Sequence, residues 1–194
     1  MRLRFKHVFD IPRDEFEYAF ACEDMERELG KLHEIERREV IAWTDDGKSF
    51  RRVSKYYAPS RIPRVVQHLF RKDLTEVEHV LCYDRTAHRG HYDVHSIMGE
   101  RFVYRCEFQI DELSPDRCAR DGELLIEMKI PLVGGRAEKA IAEDFLKRED
   151  EEHAAKVRFL KDTWPRIGKK VLALWPGGSA LDEEKAAQDA MLRA

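Results

Sequence analysis

The stretch "GGRAEKAIAEDFLKREDEEHAAKVRFLKDTW", residues 134–164, decides the fold. It reads as one long helix that begins after Gly134-Gly135 and stops or kinks at Pro165. Roughly 29 residues at about 1.5 Å each reach ~40 Å, enough to lie across a whole sheet. Its apolar stripe is Ile141, Phe145, His153, Val157, Leu160 and Trp164, and it thins around Arg148 and Glu152. "RIGKKVLALW" continues as a short helix, and "PGGS" reads as a linker to a tail with little apolar face.

The segments before the helix alternate with the period of strands. In "LRFKHVFDI", Leu3, Phe5, His7, Phe9 and Ile11 share one face. Pro12 and the acids behind it open a pair of short helices marked by Phe16, Phe20, Met25 and Leu29, with Gly30 as the stop. Asp46-Gly47 turns a hairpin between "HEIERREVIAW" and "SFRRVSKYYA". "LTEVEHVLCYD", "HYDVHSIM", "RFVYRCEFQID" and "GELLIEMKIP" follow at hairpin spacing, so the sheet is an antiparallel meander. Phe102, Tyr104, Cys106, Phe108 and Ile110 form one inner face; Leu124, Ile126, Met128 and Ile130 form another. A single sheet with one long helix on one face must curve around it to bury its inner side. The class is therefore α+β.

The 194 residues suffice for one domain over 1–175, leaving 176–194 as a partly helical or disordered tail. Thirty-five basic against 38 acidic residues leave a net charge of −3 with no field of one sign, which does not imply nucleic acid. The four cysteines, Cys22, Cys82, Cys106 and Cys118, form no C-x-x-C pair, and Cys82 and Cys106 read as core residues. "MRLRFKHVFD" has no apolar signal core, and no run approaches a membrane span, so a reduced cytoplasm is expected.

The order of elements resembles the helix-grip fold of the START-related superfamily, also called SRPBCC. That superfamily includes the birch-pollen-allergen proteins and polyketide cyclases. The resemblance is carried by "FDIPRDEFEYAF", the meander from His33 to Pro131, and "PLVGGRAEKAIAEDFLKRED", and covers about residues 1 to 164. It is closest to a bacterial branch of undefined function. It implies a hydrophobic cavity between sheet and long helix that takes lipids, sterols, polyketides or other apolar molecules. It carries over no shared catalytic motif. The glycine-rich loop of the allergen branch is not matched, since "TDDGKS" holds one glycine.

In "HRGHYDVH", residues 88–95, His91, Asp93 and His95 share a strand face and are ligand types for zinc. Tyr92 and Val94 make the opposite face more apolar, which puts the histidines on the wet side. The expected cavity lining is His7, Tyr57, His79, Tyr104, Phe108, Met128, Phe145 and His153. His7, His79 and His153 stand alone on apolar faces, where each is either a satisfied core histidine or a polar contact for a ligand. Phe102 and Trp164 are further wall candidates. Arg37 and Glu39 read as turning into solvent. No catalytic residue, metal or cofactor is assigned.

The expected function is binding of a hydrophobic or amphipathic small molecule as carrier or sensor. A cyclase- or hydratase-type enzyme in the same cavity and a partner-binding module are the alternatives. A transient membrane contact through Ile62, Val65, Val66, Leu69 and Phe70 is a variant of the first.

Overall fold

The computed structural model describes residues 1–32, 37–57, 76–96, 98–132 and 134–174, without the side chains of Tyr57, Ala173 and Leu174. The segment 61–71 expected as cap or membrane contact and the tail 176–194 lie outside the described residues. Strand β1 (Arg2–Phe9) leads into α1 (Arg13–Ala21) and α2 (Glu23–Leu29). Then come β2 (Arg37–Asp45), β3 (Ser49–Tyr57), β4 (Glu76–Asp84), β5 (Arg89–His95), β6 (Phe102–Ser114) and β7 (Arg117–Met128). The long helix α3 (Gly134–Asp162) and α4 (Trp164–Leu174) follow. The break between them falls at Thr163, one residue before Trp164-Pro165, because proline cannot continue the backbone hydrogen-bond ladder.

All strand pairs are antiparallel, in the order β1-β7-β6-β5-β4-β3-β2. The meander runs as the turn signals require. The closing pair, β1 with β7, joins the two ends of the sheet sequence through residues such as Phe5 and Gly122. The edge strand β2 carries a bulge between Val40 and Ala42, which strengthens local twist and brings Trp43 opposite Arg52. The result is a helix-grip: a curved seven-stranded sheet around α3, with two short helices after the first strand.

Curvature has a visible cause in one cross-strand row. Phe5, Gly122, Phe108, Gly90, Tyr83 and Phe50 are consecutive partners across six strands. Rings alternate with glycines, so each ring folds over a neighbour that has no side chain. A Cβ on Gly122 would lie 2.5 Å from Phe5 Cζ, and one on Gly90 would lie 2.7 Å from Phe108 Cζ. Phe20 on α1 packs into this row, 5.9 Å from both Phe50 and Phe108. Phe16 stacks on Phe9 at 4.1 Å. This end of the interior is a filled aromatic core.

Two expectations need correction. The buried stripe of α3 keeps Phe145, with Ile141, His153 and Leu160 partly buried, but it does not include Val157. Its fully buried members beyond Ala142 are Phe145, Glu149, Ala155, Lys156 and Phe159, while Val157 is 41% exposed. The inward row steps by four and three residues from Phe145 through Glu149, Glu152 and Lys156 to Phe159, so three of its five members are charged. Cys82 is half-buried and alternates with the inward Leu81 and Tyr83, so it faces the convex side, whereas Cys106 is fully buried.

Candidate functional site

The concave face of the sheet under α3 holds a polar system that the apolar periodicity concealed. Its first centre is Glu149 on α3. Arg120 on β7 donates from Nη1 to Glu149 Oε2 at 2.8 Å, and both side chains are buried. The Arg120 guanidinium also lies 4.7 Å from the Phe5 ring centre and 4.6 Å from that of Phe108. A delocalised, weakly hydrated cation tolerates such ring contacts better than an ammonium. Tyr92 on β5 donates its hydroxyl to Glu149 Oε1 at 3.5 Å, and His7 Nδ1 stands 3.7 Å from Oε2. His7 and His153 stack at 4.5 Å with planes 9° apart.

The second centre is at the β2–β4 side. Glu26 on α2 is buried and receives Arg38 Nε on one oxygen, with Arg52 Nη1 2.8 Å from the other. Arg38 lies over the Tyr56 ring at 4.7 Å, and Arg52 over Trp43 at 5.2 Å. Glu152 on α3 receives Lys156 Nζ at 3.1 Å. Burial pushes the Glu152 carboxyl up, but Lys156, Arg38 and Arg148 outweigh it and hold the acid well below the usual carboxylate range. Arg148 donates to the Tyr104 hydroxyl.

Rings connect the two centres. His79 is 4.6 Å from Tyr92, Tyr92 6.3 Å from Tyr104, and Tyr104 6.2 Å from Phe145. Phe145 is 5.8 Å from Phe5, and Phe5 is 5.6 Å from His7. Five of the eight expected lining residues, His7, His79, Tyr104, Phe145 and His153, therefore stand along one path. Phe108 instead belongs to the aromatic core. Met128 packs in a separate small cluster with Ala137. Tyr57 has its backbone in β3, and its side chain lies outside the described residues. Trp164 donates to Glu15 at 3.2 Å, at the α1–α4 contact rather than along the path.

Sequence reasoning missed Glu26, Arg38, Arg52, Arg120, Glu149, Glu152 and Lys156. A signal was available. Arg120 precedes Gly122 and Leu124 in the same alternation, and Glu149, Glu152 and Lys156 continue the spacing set by Phe145. Charges on an apolar phase mark buried ion pairs.

The expectations for the convex face are matched. His91 and His95 are exposed, and Asp93 accepts from Arg105 Nε at 2.6 Å. Arg37 and Glu39 are exposed. Among the described residues, no group of three or more His, Cys, Asp and Glu is placed to hold a metal, and no helix is long and apolar enough to cross a membrane.

The three inner histidines set a pH dependence. Burial lowers the pKa of His7, His79 and His153 below the ordinary 6.5. Arg38 and Arg52 lower His79 further, and Lys156 does so for His153. Glu149 pulls His7 partly back. Below 6.5 the unfolded chain binds protons that the folded chain refuses, so stability falls as pH drops through that value and levels off below the folded pKa values. Glu152 then adds a second loss. Its contribution is full above the ordinary 4.5 and declines as pH falls towards its depressed folded value. Urea midpoints measured from about pH 8 down to about pH 2 should fall in these two stages. A midpoint flat between about pH 7 and pH 5 would contradict the neutral histidines.

Comparison with known proteins gives the fold a context. The norcoclaurine synthase of Thalictrum flavum superposes with a TM-score of 0.60 at 12% identity, covering 84% of this chain and 96% of that one. The Zhui aromatase/cyclase of Streptomyces sp. R1128 gives 0.55 at 10% identity, covering 82% and 95%. A START superfamily protein of Mycobacterium smegmatis gives 0.50 at 16% identity, covering 82% and 98%. Comparison of the sequence with curated proteins finds no match. At these identities the likeness establishes a START-like, SRPBCC fold. The family match spans residues 4–160, most of the chain, and so this protein belongs to the family described as protein of unknown function, DUF2505.

Proposed function

We propose that the chain holds an amphipathic small molecule between the sheet and α3, as a carrier or sensor. One observation carries this reading. An unbroken path of rings runs between the sheet and α3 from His79 to His153, with polar groups placed at both ends. An apolar wall with few, oriented polar groups is how small-molecule sites are commonly built. A domain that used this fold only as a scaffold has no need to place so many charged groups inside, given the cost of burying them. The fold supports the same reading, since the similar structures include a START superfamily protein and enzymes that act on small molecules.

Native mass spectrometry of the freshly purified protein tests it, with the denatured mass as reference. The expected result is a discrete excess mass that is lost on denaturation and extracted into organic solvent. A bare mass that stays bare after incubation with a panel of amphiphiles overturns the reading.

A cyclase-type enzyme is the second reading, favoured by His79. Burial keeps this imidazole neutral, the form that accepts a proton, and it sits between the rings of Tyr56 and Tyr92. His79→Gln separates the two readings: it keeps a hydrogen-bonding group beside a bound ligand but removes the base, so uptake persists while turnover by an enzyme is abolished.

A further inference from the structure

The β2–β4 side of the interior has an excess of buried donors. Arg38 Nη1, Arg52 Nε and Nη1, Trp43 Nε1, Ser54 Oγ and His79 Nδ1 are buried atoms with no hydrogen-bond partner among the described residues; Glu26 Oε2, the one such acceptor beside them, is taken up by its ion pair with Arg52 Nη1 at 2.8 Å. Arg52 is 3% exposed and Ser54 is fully buried. The register puts these groups side by side. Ser54 is the cross-strand partner of His79, Arg52 is that of Trp43, and Arg38 is that of Tyr56, two positions beyond Ser54. Direct cross-strand neighbours stand about 5 Å apart at Cβ, so one small group can reach several of these donors.

Charge points the same way. Among the described residues around this spot, Arg38, Arg52, Arg148 and Lys156 face three carboxylates, Glu26, Glu152 and, beside Arg148, Asp144. Glu26 binds one side of each of the first two guanidiniums, and Lys156 takes Glu152. Among the described residues, the remaining N–H groups have no bonded acceptor. An unmatched buried donor is costly, and an unmatched buried cation more so. Arginine, tryptophan and serine offer protons here, so the matching group must be an acceptor, and the local charge asks that it be negative. A metal ion is excluded by the same donors. A neutral hydroxyl head would leave the charge unbalanced.

We infer that Arg38, Arg52, Ser54 and His79 form an oxyanion subsite for the carboxylate or phosphate head of the ligand. The ligand's body then runs along the path of rings towards Phe145. This rests on the proposed amphiphile site and names the head group it takes.

Isothermal titration calorimetry of the full chain with dodecanoate, dodecyl phosphate, dodecanol and inorganic phosphate tests the inference. One or both anionic amphiphiles should bind at least about tenfold tighter than dodecanol, the gain of one charge-assisted hydrogen bond. The tighter of the two tells carboxylate from phosphate. Ser54→Ala should weaken the anion several-fold and leave dodecanol unchanged. Arg52→Lys, which keeps a cation beside Glu26 but loses the planar fork, should do the same. Circular dichroism melting confirms that each variant is folded. Equal binding of dodecanoate, dodecyl phosphate and dodecanol overturns the subsite and leaves the amphiphile site standing. Inorganic phosphate as tight as dodecyl phosphate, with dodecanol inert, supports the subsite and removes the amphiphile reading. No binding by any probe overturns both.

Discussion

Glu149→Ala is expected to lower the folding free energy by about 3–5 kcal/mol, the range for removing one partner from a buried ion pair. Glu149 is the only carboxylate shown bonded to Arg120 among the described residues, and Arg120 is 3% exposed between the rings of Phe5 and Phe108. Without the acid, the guanidinium keeps its ring contacts but has no anion, and the surrounding rings keep water away. Tyr92 and His7 lose a neighbour as well. The measurement is a urea titration in which the midpoint falls while its slope is unchanged. Replacing both partners at once, Arg120→Met with Glu149→Leu, should restore much of the loss, because an apolar pair of similar volume avoids desolvation altogether. A loss under about 1 kcal/mol for the single variant would mean that Arg120 reaches water and the centre is open.

The second large effect is expected at Phe145. The side chain is fully buried and meets Phe5 edge-on at 5.8 Å and Tyr104 at 6.2 Å. It is where α3 presses its only inward phenyl group on the middle of the sheet, since Phe159 packs further along against Trp164. Phe145→Ala should cost about 3–5 kcal/mol, combining lost transfer energy with the void left behind. Phe145→Leu should cost clearly less, because most of the volume remains. The check is the thermal midpoint of both variants with and without a bound amphiphile. A ligand whose body lies against Phe145 will fill part of the void and recover part of the alanine variant's loss, by mass action on the folded state.

The sequence could be read for the architecture because the strands obey a period of two. Tyr104, Cys106, Phe108 and Ile110 and also Leu124, Ile126 and Met128 are buried as alternation predicts, while Phe102 and Ile130 at the ends of the two runs are half-buried. The helix pair after β1 followed from Phe16, Phe20, Met25 and Leu29, all of which are buried. The site was harder to read. His7, His79 and His153 stood out because a histidine on an apolar face breaks the pattern. Arg38, Arg52 and Glu152 did not, because a charged residue within a charged-looking segment reads as solvated. Among the described residues of "EIERREV", the one that turns inward is Arg38, flanked by the exposed Arg37 and Glu39. Only partners from α2 and from the neighbouring strand make its burial tolerable, and they are far away in sequence.

Local sequence determined what depends on local physics: the strands, the hairpin at Asp46-Gly47, the length of α3 and the break just before Trp164-Pro165. Two things were decided only by tertiary structure. One is the closure of β1 on β7, a contact between the ends of the sheet sequence that no turn dictates. The other is the inward phase of α3. Hydrophobic burial alone would have chosen Val157, yet the helix buries Glu149 and Lys156. It does so because Arg120 meets Glu149 across the interior, while Lys156 is held by Glu152 one turn back on the same helix. A buried charge is stable only where its partner already stands, and the partners of this interior come from α2, α3 and the strands of the sheet together.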